Sequence, residues 1–166
     1  MSSSKNYILS KEVAEKKLRR MALEIIEQNP DEEEIILAGI RENGTVVAGC
    51  IRELLKEISA VKTELIAISL DKRRPKEVTL SKTPDFNDKV IIVIDDVANS
   101  GKTLLYALKP FLEYSPKKIQ TLVLVERSHN NFPVCSDYTG LSVATTLQEH
   151  IYVEVKDGEV TGAWLQ

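Results

Sequence analysis

Apolar runs and amphipathic stretches alternate along the chain in a strand-then-helix order. Residues 35–40, 64–70, 90–94 and 120–125 are short runs dominated by aliphatic and β-branched side chains, the pattern of strands buried on both faces of a parallel sheet. Between them, residues 9–28, 46–58 and 101–114 space their apolar side chains as helices do. In the first, Val13, Leu18, Met21, Ala22, Ile25 and Ile26 mark one face. Ser10 stands as N-cap with Glu12 in the first turn, and Asn29-Pro30 ends the run. Pro110 bends or ends the third helix. Residues 151–155 and 160–165 form a hairpin through the Asp157-Gly158 turn. The expected architecture is α/β, a mainly parallel central sheet flanked by helices with a C-terminal hairpin. At 166 residues the chain fits a single domain, 1–166.

Candidate chemistry concentrates in residues 90–103. Val90-Ile91-Ile92-Val93-Ile94 runs straight into Asp95-Asp96, then Val97-Ala98-Asn99-Ser100-Gly101-Lys102-Thr103. The two carboxylates therefore sit at the carboxyl end of a central strand, the edge where open α/β sheets bind ligands. Residues 99–103 present consecutive backbone N–H groups at a helix N-terminus, with the Ser100 and Thr103 hydroxyls and the Lys102 ammonium beside them, an anion cradle. The acids cannot bind the same phosphate; they suit a polyol, a metal ion or both. A phosphate site beside diol acceptors matches a sugar phosphate. Three other readings compete. A nucleotide-triphosphatase P-loop needs Gly where Asp96 stands. A phospho-receiver domain carries its paired acids on an early strand. A plain strand–turn–helix capped by Asn99 or Ser100 explains the turn but not two acids at a buried strand's end.

Two other loops face the same edge. Arg41-Glu42-Asn43-Gly44 links a strand to a helix, with Gly39 and Gly44 permitting a tight turn. It holds pyrophosphate through Arg41 and backbone N–H groups, or it is only a connection. Gly49 and Cys50 are expected to let the following helix pack close to the sheet. Residues 71–89 show no hydrophobic periodicity and open with Asp71-Lys72-Arg73-Arg74-Pro75-Lys76-Glu77. Alone they read as a solvated loop; the phosphate-type motif after them favours a flexible lid, with Arg73 and Arg74 over an anionic ligand. Arg127, after the fourth strand, is either a phosphate or ribose neighbour or an ion-pair partner of Glu126. His129 is a lone loop histidine.

Composition narrows the classes. Twenty-two Lys and Arg against 25 Asp and Glu give a net charge of −3, so the chain as a whole is no basic nucleic-acid binder. The acidic cluster 31–34 reads as a solvated loop. Cys50 and Cys135 lack metal-ligand spacing and read as reduced residues of a cytoplasmic protein. Met1-Ser2-Ser3-Ser4-Lys5 lacks an apolar signal region, and no stretch suits a membrane span.

Four apolar residues, two acids, two small or apolar residues, a polar pair, Gly, any residue and Thr resemble the phosphoribosyl-pyrophosphate (PRPP) motif of type I phosphoribosyltransferases. The resemblance extends from Ile8 to about Val155 and points to the PyrR family, pyrimidine-operon attenuators that are also uracil phosphoribosyltransferases. It is carried by residues 23–29 (LEIIEQN), Gly39-Ile40, the PRPP motif, Val125-Glu126-Arg127-Ser128-His129 and residues 132–146.

The resemblance implies the type I phosphoribosyltransferase fold and transfer of 5-phosphoribosyl from PRPP to a nucleobase, with uracil the expected base and pyrimidine salvage the expected setting. It implies Mg²⁺ with PRPP. Asp95 and Asp96 would hold the ribose hydroxyls or hydrated metal, Ala98, Asn99, Ser100, Gly101, Lys102 and Thr103 the phosphate and base edge, and Arg41 with the lid the pyrophosphate. The base would lie near Ala98, Asn99 and residues 140–144. By analogy the protein is a dimer or larger. The sequence departs from the family in several places. Asn43 replaces an Arg of the pyrophosphate loop. Asn99 stands where uracil-type members carry an aromatic and purine-type members an Asp, and Asn cannot take a proton. Regulators carry cationic Arg where Asn130 and Cys135 stand and His where Leu23 stands, so RNA is not an expected partner. Arg19 and Arg20 restore some charge or merely form a solvated face.

Overall fold

A computed structural model describes residues 4–75 and 77–166. Met1, Ser2 and Ser3 of the start and Lys76 of the expected lid lie outside the described residues. The chain opens with β1 (Asn6–Ser10) and α1 (Lys11–Gln28). Ser10 caps α1, its hydroxyl accepting from the Val13 N–H at 3.2 Å, which satisfies one of the helix's orphan donors. Then come β2 (Glu34–Ile40), α2 (Asn43–Ile58), β3 (Lys62–Leu70), β4 (Val78–Leu80) and β5 (Val90–Ala98). The chain continues through α3 (Lys102–Ala107), a 3-10 turn (Lys109–Glu113), β6 (Lys118–Arg127), β7 (Tyr138–Val143), β8 (Ile151–Lys156) and β9 (Glu159–Leu165).

Six strands form one sheet in the order β4-β3-β2-β5-β6-β7, parallel except for β4. β5 lies between β2 and β6, and alternate side chains go to opposite faces. Val90, Ile92 and Ile94 enter the core under α1 and α2, while Ile91 and Val93 enter the core under α3 and Phe111. All five are fully buried, which is why this stretch reads as a continuous apolar run. The hairpin β8–β9 forms as expected, with Asp157 and Gly158 at positive φ. It pairs with β1 in a separate three-stranded antiparallel sheet, order β1-β9-β8.

Several expectations change. Val13 is exposed and Ala14 faces the core instead. Gly49 has open space where a side chain would project; the close approaches belong to Gly39 and Gly44. A Cβ on Gly39 would lie 2.7 Å from the Thr45 Cα, and one on Gly44 2.7 Å from the Ile94 carbonyl oxygen. The third helix is a single turn and a half of α-helix before the chain tightens at Pro110. Residues 71–89 are not structureless throughout. β4 pairs antiparallel with β3, and Phe86 is fully buried, edge-on to Phe111 and Tyr114 with ring centroids 5.0 Å away in each case. One aromatic in a polar run gives no periodicity, yet it anchors the far end of the loop.

Phe86→Ala leaves a ring-sized void between Phe111 and Tyr114. It is expected to cost about 3–5 kcal/mol of unfolding free energy in a urea titration, a loss a purely solvated loop would not show.

Candidate active site

β5 delivers Asp95 and Asp96 to the carboxyl edge of the sheet. Asp95 is 1% exposed and Asp96 8%. Each carboxylate accepts from the next backbone N–H: Asp95 Oδ1 from Asp96 at 2.9 Å and Asp96 Oδ1 from Val97 at 2.8 Å. Asp96 Oδ2 also accepts from the Asn43 amide at 3.1 Å, and the same amide nitrogen donates to the Val153 carbonyl of β8 at 3.1 Å. Asn43, noted in the sequence as a missing charge, thus ties the 41–44 loop to the acid pair and to the C-terminal sheet. Asp95 Oδ2 is buried with no hydrogen-bond partner. Burial, and then the neighbouring Asp96 charge, push the Asp95 carboxyl well above the usual carboxylate range; Lys72 opposes this. A buried acceptor left open at a strand's end is a strained arrangement with a functional reading.

The 99–103 turn wraps directly past these acids. Gly101 has φ +86°, left-handed backbone that favours glycine. The Ser100 hydroxyl accepts from the Lys102 N–H at 3.3 Å. The Ser100 carbonyl accepts from the Asn131 and Phe132 N–H groups at 3.0 and 3.1 Å, which pins the turn from outside. Val97, Ala98, Asn99, Ser100, Gly101, Lys102 and Thr103 line a cavity of about 70 Å³ together with Lys72 and Leu104. α3 has only six residues, so the cradle rests on the turn's own N–H groups more than on a helix dipole.

A second cavity, about 120 Å³, adjoins it and is lined by Asn99, Ser100, Arg127, His129, Asn131, Thr145 and Leu147. Arg127 makes no ion pair with Glu126. Its guanidinium donates to the Thr145 hydroxyl and the Thr146 carbonyl, both at 2.5 Å, and to the Glu149 carbonyl at 2.8 Å. It holds the 145–149 segment in place as one wall. Residues 140–143 belong to the edge strand β7, and a Cβ on Gly140 would lie 2.3 Å from the Leu124 carbonyl oxygen. Thr145 and Leu147 line the cavity with Asn99, while residues 140–143 pair along one side with β6.

The lid cations separate. Arg74 borders a distinct surface cleft with Ser69, Leu70, Asp71, Glu77 and Thr79. The Arg73 N–H donates to Asp71 Oδ1 at 2.9 Å, shaping the turn. Lys72, which the sequence reading passed over, is the one whose ammonium reaches the acids, 3.5 Å from Asp95 Oδ2. A basic triplet in a loop gives no period from which to tell which side chain points inward. Arg41 is exposed at the same edge, after β2, and its peptide bond to Glu42 is cis. A cleft of about 780 Å³ opens at the opposite edge of the sheet around Asp31, Glu32, Glu33 and Glu34. There Glu32 pairs with Lys117 and Glu34 with Lys89, as a solvated acidic loop does.

The family description "Phosphoribosyl transferase domain" matches residues 5–156. The chain belongs to this family. It is 35% identical to the bifunctional protein PyrR of Clostridium acetobutylicum, over 90% of this chain and 89% of that protein. It is 32% identical to the bifunctional protein PyrR of Microcystis aeruginosa, over 92% of each. Among solved structures, a hypoxanthine-guanine phosphoribosyltransferase of Bacillus anthracis superposes with a TM-score of 0.69 at 23% identity, covering 83% of this chain and 82% of that one. The hypoxanthine phosphoribosyltransferase of Trypanosoma cruzi gives 0.74 at 13% identity, covering 84% and 82%. These superpositions show the fold, that of type I phosphoribosyltransferases, with its mainly parallel sheet. In this phosphoribosyltransferase the paired acids, the pinned turn and the 41–44 loop converge at one edge of that sheet.

Ionised Asp95 destabilises the ligand-free fold at neutral pH, because its folded pKa lies above its unfolded one. That penalty is relieved as pH falls through the folded value and is gone below the ordinary carboxylate range. Asp95→Asn is therefore expected to raise unfolding stability at neutral pH by about 1 kcal/mol. The gap to wild type should shrink in mildly acidic buffer, as read by denaturant titration at both pH values.

Proposed function

We propose that this phosphoribosyltransferase transfers the 5-phosphoribosyl group from PRPP to a nucleobase, uracil, releasing pyrophosphate. The observation that carries this reading is the buried acid pair Asp95–Asp96 placed directly beside the 99–103 turn. Acceptors suited to a diol and donors suited to a phosphate thus follow one another on a single strand and turn.

In this reading the bond from the anomeric carbon to the pyrophosphate oxygen breaks, a bond to the base nitrogen forms, and the proton of that nitrogen passes to the released pyrophosphate or to water. Asp95 and Asp96 accept from the ribose hydroxyls. The backbone N–H groups of 99–103, with the Ser100 and Thr103 hydroxyls and Lys102, hold the 5′-phosphate. Arg41, with Lys72 of the 71–75 segment, would face the departing pyrophosphate, so the residues act by alignment and charge stabilisation. Among the described residues no three His, Cys, Asp or Glu converge to hold a metal. Two carboxylates with one open oxygen suit Mg²⁺, which keeps its waters and takes its other ligands from substrate oxygens; Asp95 and Asp96 would hold it. When bound, the metal neutralises the diphosphate. Asn99 and the wall of Thr145 and Leu147 meet the base. Asn99 offers one acceptor and two N–H donors and no proton-accepting carboxylate, which suits a base read by hydrogen bonds.

Arg19 and Arg20 of α1 are both engaged within the protein. Arg19 pairs with Glu57, and Arg20 with Glu24 while donating to the Thr139 and Gly140 carbonyls. Asn130 closes its own turn onto the Val134 carbonyl. Among the described residues no helix is long and apolar enough to cross a membrane, and Cys50 and Cys135 are both free.

Pyrophosphate release from PRPP and Mg²⁺ across a panel of free bases tests the activity. Uracil is expected to support release and the purines are not; release with no base in a protein that still binds PRPP would overturn the enzyme reading. The double substitution Asp95→Asn, Asp96→Asn is expected to abolish PRPP binding by calorimetry, and unchanged affinity would refute the ribose assignment. Asn43→Ala frees Asp96 Oδ2 and should raise KM for PRPP about tenfold, the worth of one charge-assisted hydrogen bond.

A further inference from the structure

Lys72 stands where neither the family's phosphate turn nor its acid pair accounts for it. Its ammonium lies 3.5 Å from Asp95 Oδ2, the one carboxylate oxygen of the pair that is buried without a hydrogen bond. The same side chain lines the cavity of the 99–103 turn. Asp95 is almost wholly buried, whereas the Lys72 side chain is half exposed. The half-exposed lysine thus approaches from the solvent side, on the first turn after β3, and faces the carboxylate oxygen that lacks a hydrogen bond. Lys72 also starts the segment that leads to Phe86, so one end of the 71–89 connection is held by the acids and the other by the aromatic core.

The proposed function assigns that open oxygen to a ribose hydroxyl or hydrated metal, and the inference rests on that reading. An ammonium held 3.5 Å from that oxygen competes with a ligand there for space and for the carboxylate's charge. We propose that Lys72 is a built-in counter-ion that occupies the diol- and metal-binding face of Asp95 in the ligand-free protein and is displaced when Mg²⁺ and PRPP bind. Displacement leaves the ammonium within the span of a lysine side chain of the phosphate turn it already borders, so the charge moves from the acid to the incoming anion. Binding is then an exchange of cations at Asp95. Without PRPP the lysine keeps a divalent cation off the acid pair, because two cations near one buried carboxylate repel each other. With PRPP the substrate's own negative charges offset the loss of the ion pair.

The metal alone is the probe. Mn²⁺ is titrated into the full chain and followed by electron paramagnetic resonance, for wild type, Lys72→Met, Lys72→Arg and Lys72→Met combined with Asp95→Asn. Lys72→Met is expected to bind Mn²⁺ in the absence of PRPP about tenfold more tightly than wild type. Lys72→Arg, which keeps the charge, should stay near wild type, and adding Asp95→Asn should remove the gain. Unchanged Mn²⁺ affinity in Lys72→Met, or the same gain in Lys72→Arg, would overturn the proposal. PRPP binding by wild type in the presence of Mg²⁺, measured in parallel, separates the two readings. If wild type binds PRPP and Lys72→Met leaves Mn²⁺ affinity unmoved, only the counter-ion role fails. If wild type does not bind PRPP, the proposed function fails with it.

Discussion

The burial of β5 between β2 and β6 is the constraint on which the rest depends. Five consecutive β-branched side chains leave no room for water on either face, and their burial fixes the register of the sheet's centre. Ile94 pairs with Gly39 and Asp95 with Val123. That register puts Gly44, the first turn of α2, against the Ile94 carbonyl and Asp95, where any side chain would collide. Core packing and the placement of the acids are therefore one interaction. A strand slipped by one residue would send the apolar set to the wrong faces and swing the carboxylates with it.

From this centre the site is assembled by loops that depend on one another. Asn43 joins the 41–44 loop to Asp96 and to β8 of the smaller sheet. The 131–132 backbone pins the 99–103 turn through Ser100, and Arg127 holds the 145–149 wall. At the far end of the sheet a buried network does comparable work. The Tyr138 hydroxyl donates to Gln120, Asn29 donates to Gln120 and the Ile25 carbonyl, and Lys118 donates to Asn29. Burial pushes the Tyr138 phenol up to about 12, so it stays a neutral donor. This network locks α1 to β6 and β7, the scaffold from which the walls extend.

Asp95 is the costly group of this edge: an acid without a full set of partners, deep at a strand's end, weakens the free protein. Lys72 moderates that cost from the solvent side, its ammonium 3.5 Å from the carboxylate.

Much of this was legible in the residues themselves. The apolar run of 90–94 announced a central parallel strand, Ser10 the start of α1, and Asp157-Gly158 the hairpin, because each depends on local propensity or on burial of contiguous side chains. The acid pair and the phosphate turn were legible because both lie on one uninterrupted stretch. β1, β4 and β7 were not. β1 and β4 are short edge strands with exposed residues and β7 is broken by Gly140, so pairing with a distant strand defines each of them. Phe86 was hidden in a polar run, and the partition of Lys72, Arg73 and Arg74 followed from the path of the loop. The sequence by itself determined the sheet's centre and the chemistry at its edge. Only the tertiary structure decided which long-range groups, Asn43, Lys72 and Arg127, meet that chemistry, because these contacts join residues far apart in the chain that no periodicity connects.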